Sequence, residues 1–141
     1  MAKSALQTLT RIQKLALDEQ RKILRQYLDR EDNLILQLNN LISEFEQEKE
    51  FARHNNCVGD FGRYTKLYLK KKEEIEHSLE KVRQEIAKIR DIITDMYKEQ
   101  KTYEIVDEER KKAKQKEIEY NEQKLLDEIG TNTYIKRHEE N

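Results

Sequence analysis

The chain of 141 residues has no proline and no tryptophan, only three glycines and a single cysteine. Without proline nothing locks φ or removes a backbone donor, so a helix once begun meets no obligatory stop. Gly59 and Gly62 share one short patch, residues 55–62, and the third glycine is Gly130, near the end. Asn55 and Asn56 tolerate left-handed backbone angles and glycine adopts them freely, which puts a turn at about residues 55–62. The lone Cys57 excludes an internal disulfide framework and fits a reducing compartment. No run approaches the ~20 apolar residues of a membrane span. The first residues, from Met1 to Gln7, lead into no continuous apolar stretch, so a signal peptide is not expected and the protein reads as cytosolic. With 28 basic against 29 acidic residues, no net charge draws the chain to nucleic acid or anionic lipid.

What is present is charge, arranged periodically. Charged residues make up 40% and apolar ones 35%, against about 25% and roughly 45–50% in an ordinary globular domain. Most side chains must therefore face water, as in a structure two helices wide. Disorder would share the charge but not the periodic Leu and Ile. Ser4, with Gln7 three residues on, forms a capping-box pattern that starts the first helix. Leu6, Leu9, Ile12 and Ala16 mark one face, and Leu24, Leu28, Ile35, Leu38, Ile42 and Phe45 continue it, with Glu31 filling one core slot. The steps average 3.5 residues, the period of a left-handed coiled-coil seam. Leu34 and Leu41 widen the stripe.

The second helix carries the cleaner seam, Ile75, Leu79, Val82, Ile86, Ile89, Ile93 and Met96, at steps of four and three. Tyr64 and Tyr68 precede it in phase. Tyr103 and Val106 extend it more weakly, and Ala113, Ile118, Leu125 and Ile129 faintly. The expected fold is all-α: a long antiparallel two-helix coiled-coil hairpin with the second helix longer than the first. Helix one spans about 4–54, the turn 55–62 and helix two 63–129. Gly130 ends it as a left-handed stop, and 130–141 form a flexible polar tail. At ~1.5 Å per residue the arms measure roughly 75 Å and 100 Å. Ser4 then lies level with about Lys114, leaving Ile118, Leu125, Leu126 and Ile129 without intramolecular cover. Grouped exposed apolar residues imply either a partner surface or self-association.

Chemistry is harder to find. His54 and Cys57 are spaced as H-x-x-C, but a zinc site needs about four ligands and no further Cys or His is near, so ordinary turn residues are the better account. A two-helix structure offers no pocket to activate Cys57 as a nucleophile. Lys70, Lys71 and Lys72 are followed at once by Glu73 and Glu74, which cancel their field. The carboxylates are scattered, no acid–base pair stands out, and no glycine-rich phosphate loop exists. Neither a cofactor, a metal nor an enzymatic activity is expected. Phe61, Tyr64 and Tyr68 flank the turn, where they either pack with Phe45 and Phe51 to close the tip or meet a partner. Charge pairs such as Asp18 with Lys22, Asp107 with Lys111 and Glu108 with Lys112 support helicity by a few tenths of a kcal/mol each.

At this point the order of short motifs becomes informative. Ala5-Leu6-Gln7-Thr8-Leu9-Thr10-Arg11-Ile12 and Leu17-Asp18-Glu19-Gln20-Arg21 resemble the N-terminal arm of the flagellar export protein FliJ family. Val106-Asp107-Glu108-Glu109-Arg110 and Leu125-Leu126-Asp127-Glu128-Ile129-Gly130 are similar to its C-terminal segment. The resemblance spans nearly the whole chain. It implies an antiparallel coiled coil like the stalk of rotary ATPases, a soluble component of the flagellar type III export apparatus at the inner face of the cell membrane. It further implies that the open end, where the two termini lie, inserts into the hexameric export ATPase (FliI-like). The middle of the hairpin would contact the export gate protein (FlhA-like), and export chaperones would be further partners. Carried onto this chain, the ATPase-facing candidates are Leu6, Leu9, Leu125, Leu126 and Ile129, and the gate-facing ones Gln37, Leu41 and Leu67. Glu44 and Glu48 stand where relatives often carry aromatics on the gate-facing surface. The chain is expected to be monomeric when free, with no nucleic acid bound and no membrane insertion. Two other readings stay open: the equivalent coiled-coil stalk of a virulence type III secretion system, and a generic dimerising or tethering coiled coil.

Overall fold

The structure, a computed structural model, describes Ala5–Asn55 and Val58–Glu139. Ser4, Asn56 and Cys57 lie outside the described residues, and with them the expected cap. The described chain is all helical. Helix α1, Ala5–Asn55, has 51 residues and packs against α2, Val58–Glu139, which has 82.

Helix α2 takes in Gly59 and Gly62, which the sequence assigns to the turn, and continues past Gly130 through the stretch assigned to a polar tail. A Cβ added at any of the three glycines would meet nothing within 4 Å, and none has a left-handed φ. Each therefore carries only glycine's propensity penalty of about 1 kcal/mol, and without proline nothing enforces a stop. The threonines fit the same way. Thr10, Thr65, Thr94, Thr102 and Thr133 each donate their hydroxyl to the carbonyl four residues back, at 2.8–3.0 Å, which gives the hydroxyl a partner inside the helix. At the end of α1, Asn55 Nδ2 donates to the Phe51 carbonyl at 2.9 Å, satisfying one of the acceptors a helix terminus leaves free.

The chain divides into two compact units, Arg11–Tyr97 and Met1–Thr10 with Lys98–Asn141. In the Arg11–Tyr97 unit the pairing of α1 with α2 is antiparallel. Arg21 Nη2 donates to the Tyr97 hydroxyl, Arg83 Nε donates to Glu31 Oε2 at 3.2 Å, and Phe45 stacks on Tyr68 with ring centroids 3.9 Å apart. As the number falls on α1 it rises on α2. Leu79, Ile86 and Ile89 are buried, with Ile75, Val82, Ile93 and Met96 half-buried beside them. Facing them, Leu24, Leu28, Glu31, Ile35, Leu38, Ile42 and Phe45 are all half-buried. A fully buried Leu or Ile contributes roughly 1.5–3 kcal/mol, so this ladder carries most of the stability. Its one acidic slot is the expected Glu31, and Arg83 answers it.

The N-terminal part of α1 departs from expectation. Leu9 and Ile12 are 47% and 58% exposed, whereas Thr10, Gln13 and Gln20 are half-buried and Leu17 is buried. Counting back from Leu24 in steps of four and three gives Gln20, Leu17, Gln13, Thr10 and Leu6. The rigid helix keeps the phase of its strongest segment, and side-chain identity does not re-aim it. Gln13 Oε1 is shielded from solvent with no partner among the described residues.

In the unit formed by Met1–Thr10 and Lys98–Asn141 the seam runs out. Leu6 is buried, and Tyr103, Val106 and Asp107 are half-buried; every described residue after Asp107 is exposed.

Candidate functional site

Residues 108–139 are where α2 offers most and covers least. A helix of 32 residues with no buried side chain depends on propensity and local pairs alone. The sequence supplies both: glutamate and lysine are its commonest residues, and both are strong helix formers. Lys112 lies 3.6 Å from Glu108. Gln115 Nε2 donates to Glu119 at 3.3 Å, and Gln123 Nε2 to Asp127 at 3.1 Å. Each pair has the i,i+4 spacing and contributes a few tenths of a kcal/mol. On this self-supporting helix Ile118, Leu125, Leu126 and Ile129 are 41%, 58%, 62% and 53% exposed. At 3.6 residues per turn, Ile118, Leu125 and Ile129 fall on one line, and that line prolongs the face of Gln100, Tyr103 and Asp107. An apolar seam thus continues beyond the point where the chain covers it. Tyr120, Tyr134 and Ile135 are exposed on other faces.

The ATPase-facing candidates separate accordingly. Leu125, Leu126 and Ile129 lie together on the uncovered stretch, and Leu9 is exposed on α1. Leu6 is different: at 8% exposure it is a core residue, not a surface one, because the seam's phase passes through it. Exposure also begins earlier than the arm lengths suggest, at residue 108: the seam positions after Asp107 are Arg110 and Lys114, and Ala113, expected on the stripe, falls off this line and is exposed.

The gate-facing candidates lie in the Arg11–Tyr97 unit. Leu41 and Leu67 share a surface groove of about 430 Å³ with Tyr64, Tyr68, Glu44, Lys70, Lys71 and Glu74. Leu41 is half-buried and Leu67 is 65% exposed. Gln37 is exposed one helical turn before Leu41 and does not line the groove.

Phe45 anchors the aromatic cluster next to this groove. It stacks on Tyr68, on Phe61 at 5.5 Å and on Tyr64 at 6.1 Å. Phe51 takes no part in the stack, contrary to the packing expectation, and is 61% exposed. The Tyr64 hydroxyl is held above its ordinary pKa, first by partial desolvation and then by the negative charges of Glu48 and Glu44. Tyr103 is raised as well, chiefly because its hydroxyl donates to Glu99 at 3.0 Å and is thereby held protonated.

No group of His, Cys, Asp and Glu suited to hold a metal ion occurs among the described residues. His54 is engaged with Glu50 at 3.6 Å, and Lys72 with Glu76 at 3.9 Å. No described helix is long and apolar enough to cross a membrane.

Comparison with known proteins adds one finding. The chain matches, over residues 2–139, the family described as flagellar FliJ protein. No curated protein and no solved structure matches it.

Proposed function

The chain belongs to the flagellar FliJ protein family, and from that membership we propose that it is the stalk and coupling protein of a flagellar export apparatus. The family acts in flagellar export as a structural coupling component and is not a known enzyme family. In our reading the terminal end of the molecule inserts into the hexameric export ATPase and promotes its assembly. Leu9, Leu125, Leu126 and Ile129 make the contact, and the buried Leu6 holds the start of α1 in place. The middle of the hairpin meets the export gate protein through the groove of Leu41 and Leu67, with Gln37 at its edge. The chain works as a monomer, peripherally at the inner face of the cell membrane, and handles export chaperones there.

The observation that carries this reading is the uncovered seam. Ile118, Leu125 and Ile129 prolong a packed face onto residues with no cover of their own. Exposed apolar residues grouped on one element mark a partner surface, and membership of the family supports seeking that partner in the flagellar export apparatus. A helix about 10–12 Å across is also of a size to enter the pore of a ring.

The test uses the purified chain with its cognate ATPase. The unaltered protein should raise ring assembly and ATP turnover. Leu125→Asp with Ile129→Asp should abolish both while leaving helicity within a few per cent of the original, since both side chains are already in water. A double variant that stimulates normally would remove residues 108–139 from the contact. Leu67→Asp should do the reverse, weakening gate-protein binding by roughly tenfold or more with ATPase stimulation intact. Equal gate binding would clear the groove of that role.

A further inference from the structure

The tip of the Arg11–Tyr97 unit holds a second apolar surface, centred on Phe51, which takes part in none of the contacts proposed above. Glu48, Phe51 and Ala52 at the end of α1 and Asp60, Phe61 and Tyr64 at the start of α2 line a groove of about 320 Å³. That is near the lower end for ligand sites, ~300–1,000 Å³, room for one or two side chains of a passing segment. Phe51 is the unusual member. Phe45 already fills the aromatic stack with Phe61, Tyr64 and Tyr68, so Phe51 is left 61% exposed on an ordered helix.

The charge that lines the groove is one-sided. The carboxylates of Glu48 and Asp60 line the groove, and Glu44 lies one turn from Glu48. None of the three has an ion-pair partner among the described residues. The cations of the same segments do not line the groove, and Arg53 is engaged with Glu50 at 3.7 Å. The negative field reaches Tyr64, whose hydroxyl Glu48 and Glu44 help to keep protonated. Exposed aromatic faces beside unpaired carboxylates attract a cation twice, through the ring quadrupole and through its charge. The carboxylates of Glu48 and Asp60 disfavour a phosphate within the groove, although Lys49, Arg63 and Lys66 lie outside it on the same segments.

We infer that the Phe51 groove is a docking site for a protein segment bearing an apolar residue next to lysine or arginine. The apolar side chain packs on Phe51 and Phe61, and the cation lies between Glu48 and Asp60. The site is distinct from the proposed ATPase contact, since residues 108–139 contribute nothing to the groove, and it adjoins the proposed gate groove: the two share Tyr64, whereas Phe51, Ala52, Asp60 and Phe61 line only this one.

The test is an NMR titration of the full chain with three short synthetic peptides: an amphipathic leucine–arginine peptide, a leucine–glutamate counterpart and a serine–arginine counterpart. The leucine–arginine peptide should give saturable shifts at Phe51, Phe61 and Tyr64, weakening as salt rises. The other two should bind at least about tenfold more weakly. Phe51→Ala should weaken the first peptide by about tenfold or more, with helicity and the Phe45–Tyr68 ring signals unchanged. Glu48→Gln with Asp60→Asn should weaken it and flatten its salt dependence. Unchanged binding by Phe51→Ala, equal binding of either control peptide, or shifts spread evenly over the acidic surface would each overturn the inference. So would phosphatidylglycerol vesicles shifting the same three residues. Because ATPase stimulation is read separately, loss of groove binding and loss of the stalk function are distinguishable outcomes.

Discussion

Tyr64 is pushed the same way by two effects. Partial burial and the neighbouring Glu48 and Glu44 both disfavour the phenolate in the folded chain, so its pKa lies above the ordinary 10.0. Unfolding restores the ordinary value. Below pH ~10 both states keep the proton and the difference has no effect; above it the unfolded state loses its proton first and stability falls as pH rises through the folded pKa. Thermal melts should therefore show an alkaline loss setting in near pH 10, and Tyr64→Phe should remove Tyr64's share of it. A variant whose melting temperature falls as steeply as that of the unaltered protein would place the loss elsewhere, with Tyr103, raised by Glu99, the next residue to substitute. At this scale the sequence was only partly informative. It put aromatics near the turn, but that Phe45 rather than Phe51 enters the stack depends on helix phase, and phase is a property of the neighbours.

Phase is set by whole elements. On α2 the strict run of Ile and Leu from Ile75 to Met96 could be read directly, because every slot is filled with an apolar residue and no alternative face competes. On α1 the same arithmetic holds, but Thr10, Gln13 and Gln20 occupy slots in the seam while Leu9, Ile12 and Leu15 lie outside it. Apolar identity picks out Leu6 and Ala16, which are covered, but also Leu9 and Ile12, which are not; extrapolating from the well-filled segment, Leu24 to Phe45, gives the seam throughout. Polar residues in a seam weaken packing but restrict which registers are allowed. Glu31 with Arg83 is the clearest instance, a half-buried carboxylate whose partner is mostly solvated. Glu31→Leu should raise stability by about 1 kcal/mol, because a half-buried apolar group replaces a charge and Arg83 remains in water. It should also broaden the distance distribution between spin labels placed across α1 and α2. A single sharp distance at higher stability would show that the register is fixed elsewhere, for instance by Arg21 and Tyr97. The glycines show the limit of reading elements by breakers. Gly130 has open space around it and an ordinary helical backbone, and a residue that merely permits a stop does not impose one.

For the molecule as a whole, the two units differ in what holds them. Leu79, Ile86 and Ile89 lie in a packed ladder, whereas residues 108–139 have no tertiary cover. Opening free energies should follow that division. Native-state hydrogen exchange should find the slowest amides around Leu79 to Ile89. Those of residues 108–139 should exchange faster by several orders of magnitude, since an uncovered helix is only marginally stable in water. Adding the ATPase should slow the second group and leave the first nearly unchanged. Uniform protection along α2 in the free chain would mean that something covers this stretch. The unequal arms were legible in the sequence because they follow from one turn patch and a count of residues. The point where cover ends was not, since it depends on which charged slots after Asp107 decline to pack.

That bare stretch also bears on how long a free copy survives. Residues 108–139 carry eight lysines and arginines, all exposed, on a helix without tertiary cover. Proteases cut chains where the backbone unfolds locally and a suitable side chain is within reach. If the proposed seating in a ring holds, a seated copy is shielded while a surplus copy is open to clipping. The cell's supply of this chain would then follow the number of rings available to receive it, without a dedicated regulator.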